Sequence, residues 1–204
     1  MPQFSKYRIY ILCEDRVQYN FIRGFFEDKG VSSRKIQTYK DLPNGAGSGE
    51  QFVRDNFPYT ITAARKNKEQ IIYIVIMDVD PEYSVDDRQR QLNEKLTAEG
   101  TDAFSVGDTL MLLLPKRNIE TWITWANAAS STDKANMDET RDYKRGACKA
   151  KSSGKRISEI EKKMRQGGSC TCENIPSLIL AFKEYKRICE RLDSQEAKNR
   201  HLYE

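Results

Sequence analysis

The strongest constraint on how this chain can fold lies in residues 71–82, IIYIVIMDVDPE, an unbroken apolar run that stops in Asp78-Val79-Asp80. A short run rich in Ile and Val, with no polar alternation, reads as a strand buried on both faces, central in a parallel sheet covered by helices. Asp78 and Asp80 emerge where that strand reaches the surface. Residues two apart in extended backbone point to one side, so the spacing predicts both carboxylates facing a common ligand. Two unit charges about 4 Å apart repel by ~4 kcal/mol at an effective dielectric near 20, and a divalent cation between them reverses that sign. Asp is also common at strand ends and helix caps for turn chemistry alone, so the pair needs company before it implies a site.

The company comes from two other strand ends. Residues 7–13, YRIYILC, form a second buried-looking strand closed by Glu14-Asp15. A helix follows over residues 17–29, with Phe21, Ile22, Phe25 and Phe26 at helical spacing and Gly30 as its stop. Residues 109–114, TLMLLL, form a third strand ended by Pro115, and Ile119, Trp122, Ile123 and Ala126 give the next helix one apolar face. Glu120 stands in that helix's first turn, a position that also suits Glu through the helix dipole. In an open parallel sheet the carboxyl ends of the strands share one edge, so Glu14, Asp78, Asp80 and Glu120 are predicted to converge there. Hard carboxylate oxygens with no nearby His or paired Cys suit Mg²⁺ or Mn²⁺ rather than zinc. Such ions keep waters, and phosphodiester-cutting sites use them to hold the scissile phosphate and activate a nucleophile.

Elsewhere the signals are weaker. Residues 35–39 read as a short edge strand, and residues 41–50, DLPNGAGSGE, as a Gly-containing loop before a helix at 51–66. That loop invites a phosphate-cradle reading but lacks the Gly-Lys-Ser/Thr ending of a nucleotide-binding loop, which favours a plain surface loop. Residues 86–99 are highly charged with few apolar anchors and suit a solvated helix. Residues 130–140 are small and polar and read as a linker. Residues 144–165 then hold nine Lys or Arg against Glu159 and Glu161. Beside a carboxylate edge such a segment would hold a phosphate backbone in a salt-sensitive way; a solvated helix has the same composition. With Tyr143 the one aromatic near these cations, no base-stacking platform is indicated. Residues 177–192 form an amphipathic helix through Leu178, Ile179, Phe182, Tyr185 and Ile188, and residues 195–204 read as a frayed tail.

At 204 residues the chain suits one α/β domain with an appendage. The division expected is a catalytic domain at 1–129 and a basic, helical extension at 130–204 that packs on the domain or on a partner. A net charge of +4 permits nucleic acid without demanding it. No apolar run approaches the roughly 18 residues of a membrane span, and the N-terminus has no signal-peptide layout, so a cytoplasmic protein without membrane contact is expected. The five cysteines are odd in number and irregularly spaced, which argues against a disulfide framework. Cys170 and Cys172, with Cys189 and His201, lack the spacing of a zinc site.

The opening CEDRVQYNFIRGFF, the centre IVIMDVDPE and the segment LLLPKRNIETWI together resemble the Toprim domain of topoisomerases, primases and small nucleases. More narrowly, they resemble stand-alone Toprim proteins related to the overcoming-lysogenisation-defect (OLD) nucleases and to RloB-like proteins, often associated with bacterial anti-phage defence. The likeness covers roughly residues 7–126. It implies a Toprim-like α/β fold, a parallel-sheet sandwich with helices on both faces, and a Mg²⁺- or Mn²⁺-dependent nuclease acting on DNA or RNA. By this resemblance Glu14 is a metal ligand or general acid/base, Asp78 and Asp80 hold the ion, and Glu120 binds a second metal or positions the first. A lysine near the scissile phosphate would be Lys144 or, second, Lys149. An ATPase partner subunit is implied by analogy, and homo-oligomerisation stays open. The alternative is a catalytically weak nucleic-acid-binding or regulatory subunit. Two positions depart from the family pattern: Asp15 stands where Gly is usual, and Gln18 where a second acid is frequent, so Gln18 offers a second metal no carboxylate.

Overall fold

The computed structural model describes residues 2–42, 49–67, 70–143, 149–168 and 172–200. Four strands, β1 (Arg8–Leu12), β2 (Ile36–Thr38), β3 (Ile71–Ile76) and β4 (Leu110–Leu113), form an all-parallel sheet in the order β2-β1-β3-β4. The two central strands pair along all of β1, from Arg8 opposite Ile71 to Leu12 opposite Val75, so their carboxyl ends finish side by side. Parallel neighbours need crossover connections, and the helices α1 (Arg16–Asp28), α2 (Gly49–Lys66) and α3 (Val85–Ala98) supply them. A fourth helix, α4 (Ile119–Asn127), leaves β4.

Alternate residues of β3 feed two cores, as a strand buried on both faces requires. Ile72, Ile74 and Ile76 pack with Phe21, Ile22 and Phe25 of α1 and Trp122 of α4. Tyr73, Val75 and Met77 pack on the other face with Val53, Phe57 and Ile61 of α2 and Leu92 and Leu96 of α3. Burying each Ile or Val this completely contributes ~1.5–3 kcal/mol relative to exposure. Helix α3 is less solvated than its composition predicts, because Arg88, Leu92 and Leu96, spaced four apart, form one buried row.

The C-terminal third belongs to the first core. A short helix, α5 (Ser131–Ala135), interrupts the expected linker, started by a capping box in which Ser130 and Asp133 satisfy each other's backbone N–H. Two longer helices follow, α6 (Ala150–Arg165) and α7 (Pro176–Arg200), and Ile157, Leu178, Tyr185 and Ile188 join the cluster around β3. Helices α6 and α1 cross at two glycines. A Cβ on Gly24 would lie 1.9 Å from the Lys151 carbonyl oxygen, and one on Gly154 1.9 Å from that of Phe21. Helix α7 lies over the edge strand β4, where Arg187 donates to the carbonyls of Val106, Asp108 and Leu110 at 2.9, 2.7 and 2.6 Å. Edge groups that could template another strand are thereby occupied.

Two expectations change. Helix α7 runs on to Arg200, through much of the segment read as a frayed tail. Cys172 is disulfide-bonded, although the cysteine spacing gave no sign of a bond, whereas Cys13 and Cys189 are free and buried. Among the described residues no helix is long and apolar enough to cross a membrane.

Candidate functional site

The strand order reverses between β1 and β3: α1 leaves β1 for one face of the sheet, and α3 leaves β3 for the other. A crevice therefore opens at the carboxyl ends of these two strands, the usual ligand position in open α/β sheets. Glu14 and Asp78 stand on its two sides. The Glu14 carboxylate accepts a hydrogen bond from the Asp78 backbone N–H at 2.6 Å. Asp78 Oδ1 accepts from the backbone N–H of Ile119, at the start of α4, at 3.1 Å.

Gln18 ties the two strand ends together. Its Oε1 accepts from the Glu14 N–H and its Nε2 donates to Asp78 Oδ1, both at 2.9 Å. An ionised carboxylate at this position would have no donor for Asp78. The amide in place of a second acid thus makes a clamp, and α1 delivers it because the Asp15 side chain caps the helix by accepting from the Gln18 N–H at 2.9 Å.

Among the described residues no cation pairs with Glu14 or Asp78. Burial pushes the Glu14 carboxyl up from 4.5 to about 7, the nearby charges of Asp15 and Glu50 add to the rise, and the Asp78 N–H and Gln18 oppose it. Burial also raises Asp78 well above the usual carboxylate range, followed by repulsion from Glu14 and, more weakly, from Glu120. The effect of Glu120 on Asp78 brings a third acid, from the first turn of α4, within electrostatic reach.

Asp80 departs from the expected arrangement. Its Oδ2 accepts from Arg88 Nη2 of α3 at 2.6 Å, and the same guanidinium pairs with Glu50 in the first turn of α2. The rule that residues two apart face one way holds only while the backbone stays extended. Regular pairing of β3 ends at Ile76; Val79 makes one isolated bridge with Lys116, and a turn begins at Pro81. The turn carries Asp80 toward α3. Lys116 fixes this path, its ammonium donating to the carbonyls of Asp80, Pro81 and Tyr83.

Arg117 has a left-handed backbone, with φ of 65°, where β4 gives way to α4. For a residue with a Cβ this conformation costs about 1–2 kcal/mol, and such strain collects at functional sites. It is held by the Arg117 N–H donating to Val79 O at 2.7 Å and by its guanidinium donating to Thr140 O at 2.6 Å. The strained residue therefore joins the loop after β3 to the segment after α5.

Further along α4 is an open cleft of about 530 Å³, lined by Thr124, Asn127, Asp133, Arg141, Tyr143 and Lys149. Glu120, Thr124 and Asn127 are spaced i, i+4, i+7 on α4, so the cleft starts one helical turn from Glu120. Lys149 lies in its wall; Lys144 lies outside the described residues. The basic stretch divides in two. Lys151 and Lys162 pair with Glu27 and Asp28 of α1 at 2.8 and 2.9 Å, and Glu161 takes both Lys29 and Arg165. Among the described residues no acid pairs with Lys149, Lys155 or Lys163, which remain available to an anion.

Residues with no individual prominence in the sequence shape this edge. Glu50 is visible only as a first-turn acid after the Gly-containing loop. The backbone there is close-packed: a Cβ on Gly49 would lie 2.7 Å from Glu14 Cβ. Residues 43–48 of that loop lie outside the described residues. Arg88 had a usable signal, since it continues the Leu92–Leu96 row by one helical step.

The fit to a divalent cation is chemical. Glu14 and Asp78 are adjacent hard donors whose charge burial and mutual repulsion penalise, the deficit such an ion offsets. Among the described residues no group of three or more His, Cys, Asp or Glu side chains is placed to hold a metal ion. Family models, curated proteins and solved structures were all compared with the chain, and none matches it.

Proposed function

We propose that this protein is a Mg²⁺- or Mn²⁺-dependent phosphodiesterase acting on nucleic acid. One observation carries the reading. Asp78 lies within electrostatic reach of both Glu14 and Glu120, which come from two other segments, and Glu14 and Asp78 are held above their ordinary range. A purely structural arrangement would place cations beside Glu14 and Asp78, as the α1–α6 contact does for its own acids, and among the described residues no cation pairs with either.

In this reading Glu14 and Asp78 hold the ion, Gln18 orients Asp78, and Glu120 helps to attract and position the ion. The bound cation supplies Lewis acidity at the scissile phosphate. Lys149 and Arg141 in the cleft wall would hold the flanking phosphates, giving a salt-dependent grip. The resemblance to OLD-related and RloB-like Toprim proteins supports a place in anti-phage defence, where an ATPase subunit would be the partner.

The test is cleavage of plasmid, single-stranded DNA and tRNA with Mg²⁺, Mn²⁺ or EDTA. Metal-dependent cutting is expected, reduced at least ~100-fold by Asp78→Asn or Glu14→Gln, beyond the usual effect of losing an outer-shell partner. The unpaired Lys149, Lys155 and Lys163 favour a second reading, a nucleic-acid-binding subunit without chemistry. Salt-sensitive binding that is equal in wild type and Asp78→Asn, with no cutting by either, would establish it.

A further inference from the structure

The acids at the carboxyl edge fall into two centres of different build. Among the described residues Glu14 and Asp78 have only neutral donors, the Gln18 amide and backbone N–H groups. Asp80 and Glu50 share a full positive charge. Arg88, which supplies it, is 1% exposed, although the carboxylates it holds reach solvent. It is anchored further by Nη1 donating to Gln91 at 2.9 Å and by the Tyr83 ring 5.2 Å from its Cζ. Its Nε finds no partner. A buried arginine with one donor unsatisfied carries a desolvation penalty that the fold retains at this position.

We infer that Arg88 is the built-in counterion of Asp80 and Glu50, standing where a second divalent cation would otherwise sit, so that the site takes one divalent ion, at Glu14 and Asp78. The inference rests on the metal-dependent reading above and specifies its stoichiometry. Three features support it. Arginine stays protonated at every working pH, so the charge at Asp80 is permanent. A divalent ion approaching Asp80 meets the guanidinium already bonded there, with twice the repulsion that a monovalent ion would meet. Gln18, occupied by its two hydrogen bonds, provides no carboxylate for another ion. Arg88 is thus a positioning residue: it holds the loop after β3 and excludes a second metal, without touching substrate.

A simple tie between α2 and α3 would use the same contacts, so the deciding readout is the number of ions bound. The experiment titrates the full chain with Mn²⁺ and counts bound ions by electron paramagnetic resonance of the free aqua ion, with calorimetry for affinity. Wild type is expected to bind one Mn²⁺. Asp78→Asn should weaken that ion at least ~10-fold, and Asp80→Asn by less than ~3-fold, below the usual loss for outer-shell partners. Arg88→Met, by leaving Asp80 and Glu50 uncompensated, should admit a second ion, and Arg88→Lys should return the count to one. Two ions on wild type, or an Asp80→Asn loss equal to that of Asp78→Asn, would overturn the inference while leaving the metal-dependent reading intact. A wild-type chain that binds no Mn²⁺ removes that reading, and the inference with it. If Arg88→Met does not fold, wild type and Asp80→Asn still decide.

Discussion

Helix α1 has acids at both ends, and the two ends are treated in opposite ways. At its start, Glu14 faces Asp78 with no cation among the described residues, and burial lifts both carboxyls. At its finish, burial would raise Glu27 and Asp28 as well, but Lys151 and Arg23 at Glu27, and Lys162 with Ser158 at Asp28, outweigh it and hold both below their ordinary values. The same residue types at the two ends of α1 thus form a destabilised pair at the crevice, Glu14 with Asp78 from the end of β3, and anchors at the α1–α6 seam. The seam spends its charges on attaching α6, and the crevice leaves its charge unmet, so a ligand has something to gain there.

The sharpest break of this comparison is steric. At the seam the two backbones touch, and neither can yield as a flexible side chain would. Gly154→Ala is expected to lose at least ~3 kcal/mol, the upper range for overpacking, read as the shift in urea midpoint. A loss below 1 kcal/mol would mean that the crossing relaxes and that α6 is attached mainly by its charges.

The crevice predicts the opposite sign. Glu14 binds its proton more tightly in the folded chain than in the unfolded one, so the folded state holds more protons between about 4.5 and 7, and stability falls as pH rises through that window. Glu14→Gln keeps an acceptor for the Asp78 N–H and removes the charge. In EDTA at pH 8 it should therefore stabilise the protein by on the order of 2 kcal/mol, and at pH 4 it should change little. Thermal melts at both pH values check this, and destabilisation at pH 8 would show that the carboxylate is compensated after all. Glu27 and Asp28 work in reverse: their contribution is present above 4.5 and 3.8 and is lost as pH falls through their lowered folded values.

The smallest effect belongs to the seam's surface ion pairs. Lys151 and Lys162 are nearly half exposed, at 45% and 43%, so water and salt screen their bonds. Lys162→Ala should cost less than ~1 kcal/mol and Lys151→Ala no more, with both losses shrinking in 1 M NaCl. Differential scanning calorimetry with and without salt measures this; a larger loss that salt abolishes would place the seam's stability in its charges, and a larger, salt-independent one in the packing of the lysine stems.

The parallel sheet and the placement of Glu14 and Asp78 at strand ends were legible because those signals are local. A short apolar run without alternation, rich in Ile, Val or Leu, fits a two-faced strand, and the first polar residue after it marks the edge; β3 and β4 follow this rule, and β1 does so at its carboxyl end. Glu120 was readable in the same way, as the first turn of a helix leaving a strand. Asp80 points to Arg88 because its direction is set four residues beyond the last regular pairing at Ile76, where a turn overrides strand geometry. The reading of residues 144–165 as a phosphate-binding stretch missed that several of its lysines and arginines are used within the fold.

The sequence by itself determined where charge would be exposed and where apolar surface had to be covered, since both depend on the period of residues close together in the chain. Only the tertiary structure decided which cation meets which acid: Arg88 with Asp80 and Glu50, Lys151 and Lys162 with Glu27 and Asp28, and no cation with Glu14 and Asp78 among the described residues. Those partnerships join residues far apart in the chain, and their strength depends on distance and burial that no local pattern encodes.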